Sequence, residues 1–200
     1  MNWLVPLDIG LVMGLLLAWG VLALTLGFRL LDFPDLTVEG SLPLGAAVFA
    51  VLHKGGAPMT VSILCAMIAG GLAGALTGFL HVRFKVNKFL AGIIVIAIAY
   101  SVSLRIMSAS NIGLLQSSSV FDFVEPMNNI IPGTFHLGTI ALLALFLAVG
   151  GVLLLTALAT RQGIRLRVAG SNPEYARSLG INVPINVVLG LGINNALAAF

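Results

Sequence analysis

Charge is the scarcest commodity in this sequence. Ten basic and seven acidic residues are spread over 200 positions, so that 8% of the side chains are charged, against roughly 25% in a soluble globular chain. Residues 9–28, 55–82 and 126–160 carry no Asp, Glu, Lys or Arg. Stretches of ~20 apolar residues are what a bilayer core of ~30 Å requires of each helix. A soluble enzyme and a disordered tail are thereby excluded. There is one cysteine, Cys65, inside an apolar run; it allows no intrachain disulfide, which excludes a secreted disulfide scaffold. The phosphate-cradling pattern Gly-x-x-x-x-Gly-Lys-Ser/Thr is absent, and none of the three lysines follows a glycine. Nucleotide chemistry, if it is involved, belongs to another chain.

What is present is apolar. Hydrophobic residues make up 59% of the chain, the mean hydropathy is +1.10, and 23 glycines suit close helix packing in lipid. The pattern predicts an all-α, polytopic transmembrane helix bundle in a single domain over 1–200. Spans are expected at about 9–30, 59–80, 89–107 and 137–159. A short segment at 42–53 reads as a half-length or discontinuous helix. A last segment, 184–200, is still apolar at Phe200 and is expected to be incomplete, the chain being part of a longer one. Residues 1–8 contain no base, and the following run is longer than a signal h-region, so the first span is expected to be retained. The polar stretch 108–135 leaves room for a re-entrant or surface helix.

The bases set a side. Arg83, Lys85 and Lys88 mark one loop; Arg161, Arg165, Arg167 and Arg177 mark another, two spans later. Both are therefore cytoplasmic, and 108–135, with Asp122 and Glu125, is external. The side of the N-terminus depends on whether 42–53 crosses, making it external, or 33–53 dips in and returns, making it cytoplasmic. On the third span Ser62, Ala66, Gly70, Gly74 and Gly78 recur every four residues. They form a slowly winding stripe for helix packing, or else line a pore.

Two segments carry candidate function. In the first, Asp32, Pro34, Asp35, Thr37, Glu39, Gly40 and Ser41 interrupt the apolar pattern. Charged groups in a membrane face water or a cavity, and broken helices line substrate sites in transporters. Asp35, Thr37, Glu39 and Ser41 therefore read either as lining a translocation path or as an acidic interfacial loop. Asn194 and Asn195, in an apolar segment, either bond between helices or line the same path. His53, His81 and His136 share no ligand spacing, and no metal site or catalytic constellation is expected.

The second segment runs Arg167-Val-Ala-Gly-Ser-Asn-Pro-Glu-Tyr-Ala-Arg-Ser-Leu-Gly-Ile-Asn-Val183 within the loop 160–183. Ser171 or Asn172 can cap a helix, with Glu174 completing Ser-x-x-Glu and Pro173 in the first turn. Glu174 and Arg177 complement the helix dipole, Gly180 suits the position after the last turn, and Pro184 prevents continuation. A compact helix of about two turns is expected, either a plain loop helix or a coupling helix. The run Ala169–Val183 resembles the cytoplasmic coupling loop of bacterial ABC-importer permeases, the family that includes ribose and branched-chain amino acid permeases. Leu31–Ala46, and Ala91-Gly-Ile-Ile with Tyr100-Ser-Val-Ser-Leu-Arg-Ile-Met107, are similar to the same family, in an amino-acid-uptake-like subgroup.

The resemblance implies a permease subunit in the bacterial inner membrane, not itself an enzyme. Two permease copies would form the path for a small polar solute, an amino acid by the subgroup it resembles. An extracytoplasmic binding protein would deliver that solute. Cytoplasmic ATPase subunits would carry the ATP and magnesium, with no cofactor bound by this chain and no nucleic acid partner. Gly170, Ser171, Asn172, Pro173, Glu174, Ala176, Arg177, Leu179, Gly180 and Ile181 would contact the ATPase. The rival readings are a self-contained secondary transporter, which needs ionisable groups inside spans, and a membrane-embedded enzyme.

Overall fold

A computed structural model describes residues 4–108, 112–113 and 136–200. The stretch 108–135, expected to be external and to leave room for a re-entrant or surface helix, lies almost wholly outside the described residues. The described residues form helices and no strands: α1 (Leu4–Leu31), α2 (Val38–Lys54), α3 (Met59–Phe84), α4 (Lys88–Met107), α5 (Leu137–Ala159), α6 (Arg161–Ser171), α7 (Pro173–Ser178) and α8 (Val183–Ala198). Four of them, α1, α3, α4 and α5, are long and apolar enough to cross a membrane. The apolar residues on their outer faces stay exposed, from Leu17 and Val21 on α1 to Leu153 and Leu155 on α5, as lipid-facing positions do.

Two elements differ from the sequence expectation. The short segment read as 42–53 starts earlier, at Val38, and runs 17 residues through Pro43. Pro43 is the sixth residue of α2, inside the helix, where its missing N–H leaves the Glu39 carbonyl without its i→i+4 donor. Glu39, Gly40 and Ser41 are thus helical, and only 32–37 is a true break. The loop read as 160–183 holds a second helix, α6, besides the expected one. It lacks an apolar run and begins one residue after α5. Thr160 is extended at that elbow (ψ 165°), and its side chain caps Gly163 N. Gly163 lies flat against the Leu158 backbone, where a Cβ would not fit.

The ends of the helices settle the direction of α1. Its N-terminal end is tied to the start of α5: Asp8 accepts from His136 N (2.9 Å) and pairs with His136 Nδ1 at 2.5 Å. Its C-terminal end meets the start of α4, where Lys88 Nζ donates to Asp32 O at 2.6 Å. Arg29 therefore lies at the same end as Arg83, Lys85, Lys88 and the four arginines of 161–177. Lys54 and Arg105 lie at the other. The excess of bases makes the first end cytoplasmic. The N-terminal end of α1 is then external, and α2 runs outward.

The inner packing is built on small residues. Along α3, Gly70, Gly74 and Gly78 lie against α8. A Cβ on Gly74 would overlap the Leu191 carbonyl oxygen, and one on Gly78 would come within 2.8 Å of Val188 Cα. On α2, Gly45 meets Ala199, while Gly40 sits against Ile96 of α4, 2.9 Å from a would-be Cβ to Ile96 Cα. Such contacts let backbones approach closely, which is a main source of helix association where lipid removes the hydrophobic drive. Near the middle of α1, Trp19 joins α1 to α5 and to the end of α8. Its indole N–H donates to Leu197 O at 2.8 Å, and its ring meets Phe146 and Phe200 at 5.6 and 5.5 Å.

Candidate functional site

The break between α1 and α2 is held from three sides. Asp32 takes a left-handed conformation (φ +46°), which turns the chain back so that Phe33 N donates to Gly27 O. Lys88 lies over the Phe33 ring at 5.6 Å, and Phe33 meets His81 edge-on. Asp35 follows with 0% exposure. Its carboxylate accepts from Thr37 N (3.0 Å), Asn194 Nδ2 (2.9 Å) and Asn195 Nδ2 (2.6 Å). Asn195 also donates to Leu191 O and accepts from Ser41 Oγ at 2.7 Å. The Thr37 and Thr77 hydroxyls bond at 2.7 Å.

All six of these polar side chains are buried. The network joins the break and α2 to α3 and α8. A carboxylate can only accept here, so both asparagines must turn their amide N–H groups toward it. That orientation leaves Asn194 Oδ1 buried with no partner among the described residues. Gly27 makes room, since a Cβ there would stand 3.1 Å from Asn194 Nδ2. Among the described residues no Lys or Arg pairs with Asp35. The group is deep: Thr77 lies seven residues before the cytoplasmic end of α3, about 10 Å at 1.5 Å per residue.

Of the six residues considered for a path, Asp35, Thr37, Ser41, Asn194 and Asn195 thus meet in one network. Glu39 does not join them; it is exposed on the first turn of α2. Sequence reading missed Thr77 and Gly27. A threonine on the α3 face beside Gly74 and Gly78 was the available signal for the first. For Gly27 there was none, because its neighbours come from Asp35 and Asn194.

On the cytoplasmic side, Asn172 rather than Ser171 caps α7, accepting from Tyr175 N at 3.0 Å, and Ser171 closes α6. At the other end Gly180, at φ +73°, completes a Schellman cap: Gly180 N donates to Arg177 O and Ile181 N to Ala176 O, both at 3.0 Å, which satisfies carbonyls the helix would leave open. Ala176 is fully buried against Ala169 and Val183, with Ile181 packed on the same cluster. Ala176 seats α7 on α6 and α8 and faces inward, while Ile181 is half-buried between that cluster and a neighbouring groove. Glu174, Tyr175, Arg177 and Leu179 are exposed. Beside them a groove of ≈ 540 Å³ runs between α6 and α8, lined by Gln162, Arg165, Leu179 and Asn186 among others.

The histidines serve structure. His81 Nδ1 bonds the Val86 carbonyl across the end of α3 at 2.8 Å, and His136 pairs with Asp8. Among the described residues no group of His, Cys, Asp and Glu could hold a metal ion. Asp8 stands before the first apolar run, and no local pattern points to its partner, 128 positions away.

Comparison with known proteins agrees with this architecture. The family described as the permease component of branched-chain amino acid transport systems matches residues 7–200. A tyrosine transport system permease protein of Clostridioides difficile (strain R20291) is 36% identical over 185 residues, covering 92% of this chain and 59% of that protein. An uncharacterized protein, RP368, of Rickettsia prowazekii (strain Madrid E) is 32% identical over 179 residues, covering 90% and 60%. The chain spans about three fifths of the length of these curated relatives. No solved structure matches. With its apolar crossing helices and a match that runs from α1 to Phe200, the chain belongs to the branched-chain amino acid transport system permease family, multi-pass proteins of the bacterial inner membrane.

Proposed function

We propose that this chain is part of the permease subunit of an ATP-binding cassette importer for an amino acid, and that α7 with its flanking residues couples it to a separate ATPase. The reading is carried by one observation. A six-residue helix, capped at both ends, stands on the cytoplasmic side between α6 and α8 and exposes Glu174, Tyr175, Arg177 and Leu179. A short capped helix seated on two longer ones is a rigid knob, and a push on it moves α8 as a body. Gly170, Ser171, Asn172 and Pro173 set the knob's base, and Gly180 its far end. An extracytoplasmic binding protein delivers the solute and a second permease copy completes the path. ATP and magnesium sit on the ATPase. The tyrosine system of the relative makes an aromatic amino acid the first solute to test.

The test is reconstitution of the full-length permease with its ATPase and binding protein in liposomes. Amino acid uptake is expected to need internal ATP, and Glu174→Ala with Arg177→Ala to lower stimulated ATPase activity and uptake together. Unchanged activities in that double variant would overturn the coupling role.

A second reading, a self-contained secondary transporter, draws support from Asp35. This is a fully buried acid beside a network member about 10 Å from the cytoplasmic end of α3, and coupling ions are handled by such groups in such carriers. It predicts uptake by the permease alone under an ion gradient, and uptake that appears only with the ATPase and ATP rejects it.

A further inference from the structure

We propose that Asn194 and Asn195 form, with Asp35, a releasable latch. They position the α1–α2 break in a dry, closed state, and movement of α8 takes their amides away and lets water reach the break. The inference rests on the coupling reading of α7 for what moves α8.

Three observations support it. First, the carboxylate of Asp35 is fully buried, and among the described residues every donor it has apart from Thr37 N comes from α8. A buried carboxylate is tolerated only while its hydrogen bonds are made. Without the two amides it must regain water, so dryness of the break and the position of α8 are one equilibrium. Second, the network has an acceptor to spare. Asn194 Oδ1 is buried with no partner among the described residues, so water that enters the break finds an acceptor there. A cavity of ≈ 180 Å³ opens beside Asn194, bounded by Leu26, Leu31, Leu166 and Gly190, and α8 has room to shift on that side. Third, α8 begins directly after the coupling loop. Asn182 caps it, accepting from Ile185 N, and Val183 packs on Ala176 of α7. Displacement of α7 therefore reaches Asn194 through a single rigid helix about 17 Å long. Ser41, whose hydroxyl donates to Asn195 at 2.7 Å, sits at the junction with 0% exposure and reports its state.

The experiment uses the full-length complex in liposomes, with Cys65→Ser as background and Ser41→Cys as probe. Thiol labelling by a small water-soluble reagent is timed without nucleotide and with a non-hydrolysable ATP analogue. The latch predicts slow labelling in one state and labelling about tenfold faster or more in the other, a shift of ~1.4 kcal/mol in the closed–open balance. It also predicts that adding Asn195→Ala makes labelling fast in both states, whereas Asn195→Gln, which keeps the amide, retains part of the difference. Equal rates in the two states would overturn it. So would a nucleotide response untouched by Asn195→Ala.

A cysteine cross-link from position 174 to the ATPase is measured in parallel. If the cross-link forms and labelling does not respond, the latch is wrong and the coupling site stands. If labelling responds and no cross-link forms, α8 is driven from elsewhere and the coupling site is wrong. Should Ser41→Cys fail to assemble, Thr37→Cys in the same network gives the same readout.

Discussion

The side chains of Asn195 and Asp35 stand 160 positions apart in sequence and 2.6 Å apart in space. That bond brings the last described helix of the chain to the first break in it. Removing either partner strands polar groups in the membrane interior, where an unmet donor or acceptor costs about 1–3 kcal/mol.

Asp35→Ala and Asn195→Ala are therefore each expected to lower stability by about 1–3 kcal/mol. The double variant should fall about 1 kcal/mol short of their sum, as partners in one network do. Unfolding of the four proteins in detergent or bicelles, run as a double-mutant cycle, measures this. Strict additivity would show that the two side chains do not depend on each other.

The glycines of α3 are expected to be unequal to those elsewhere. Gly74→Ala pushes a methyl into the Leu191 carbonyl and the Asn195 side chain, whereas Gly151→Ala on α5 meets nothing within 4 Å. Overpacking of this kind costs about 1–3 kcal/mol. Gly74→Ala should lower the melting temperature and the monodisperse yield, and Gly151→Ala should leave both near the parent. Equal behaviour would mean that α3 and α8 are not in backbone contact.

Gly180 is at φ +73°, where a Cβ costs about 1–2 kcal/mol. Gly180→Val should strip the Schellman cap, raise hydrogen exchange at the Gly180 and Ile181 amides, and lower coupled ATPase activity. Gly180→Asn should be milder, since Asn tolerates the left-handed region better than a β-branched residue. If Gly180→Val leaves exchange in α7 unaltered, the cap does not hold that helix.

The direction of α1 predicts a labelling pattern. Single cysteines at 56, in the turn after α2, should react in whole cells with a membrane-impermeant maleimide. Single cysteines at 86, between α3 and α4, should react only after permeabilisation. The reverse result would invert the bundle.

The sequence made the crossing helices legible because length and lack of charge suffice for them: α4 was expected at 89–107 and is found at Lys88–Met107. The ends of α7 were legible for a similarly local reason. Pro173, Glu174 and Gly180 each have a preference set by the position they occupy. What failed was what depends on distant partners. The start of α2 was placed at 42 because Glu39 and Ser41 are polar, yet Ser41 is buried against Asn195, and tertiary bonding overrides the reading. The helix α6 was missed because Gly163 and three arginines look like a loop, and only the elbow against Leu158 explains the glycine. Glu39 could not be told from Asp35 by composition, since the two acids lie four residues apart and one turns inward while the other turns out.

The start of α2 has a consequence for permeation. Thr37 stands about 10 Å inside the cytoplasmic edge of α3, so at this place the polar chain has already entered the slab. Beyond it the apolar barrier is one helix of 17 residues, about 25 Å long. The ~25 Å of α2 is most of a ~30 Å hydrocarbon core, so a polar group that reached the break from the cytoplasm would still have most of the dielectric barrier ahead of it, toward the external side.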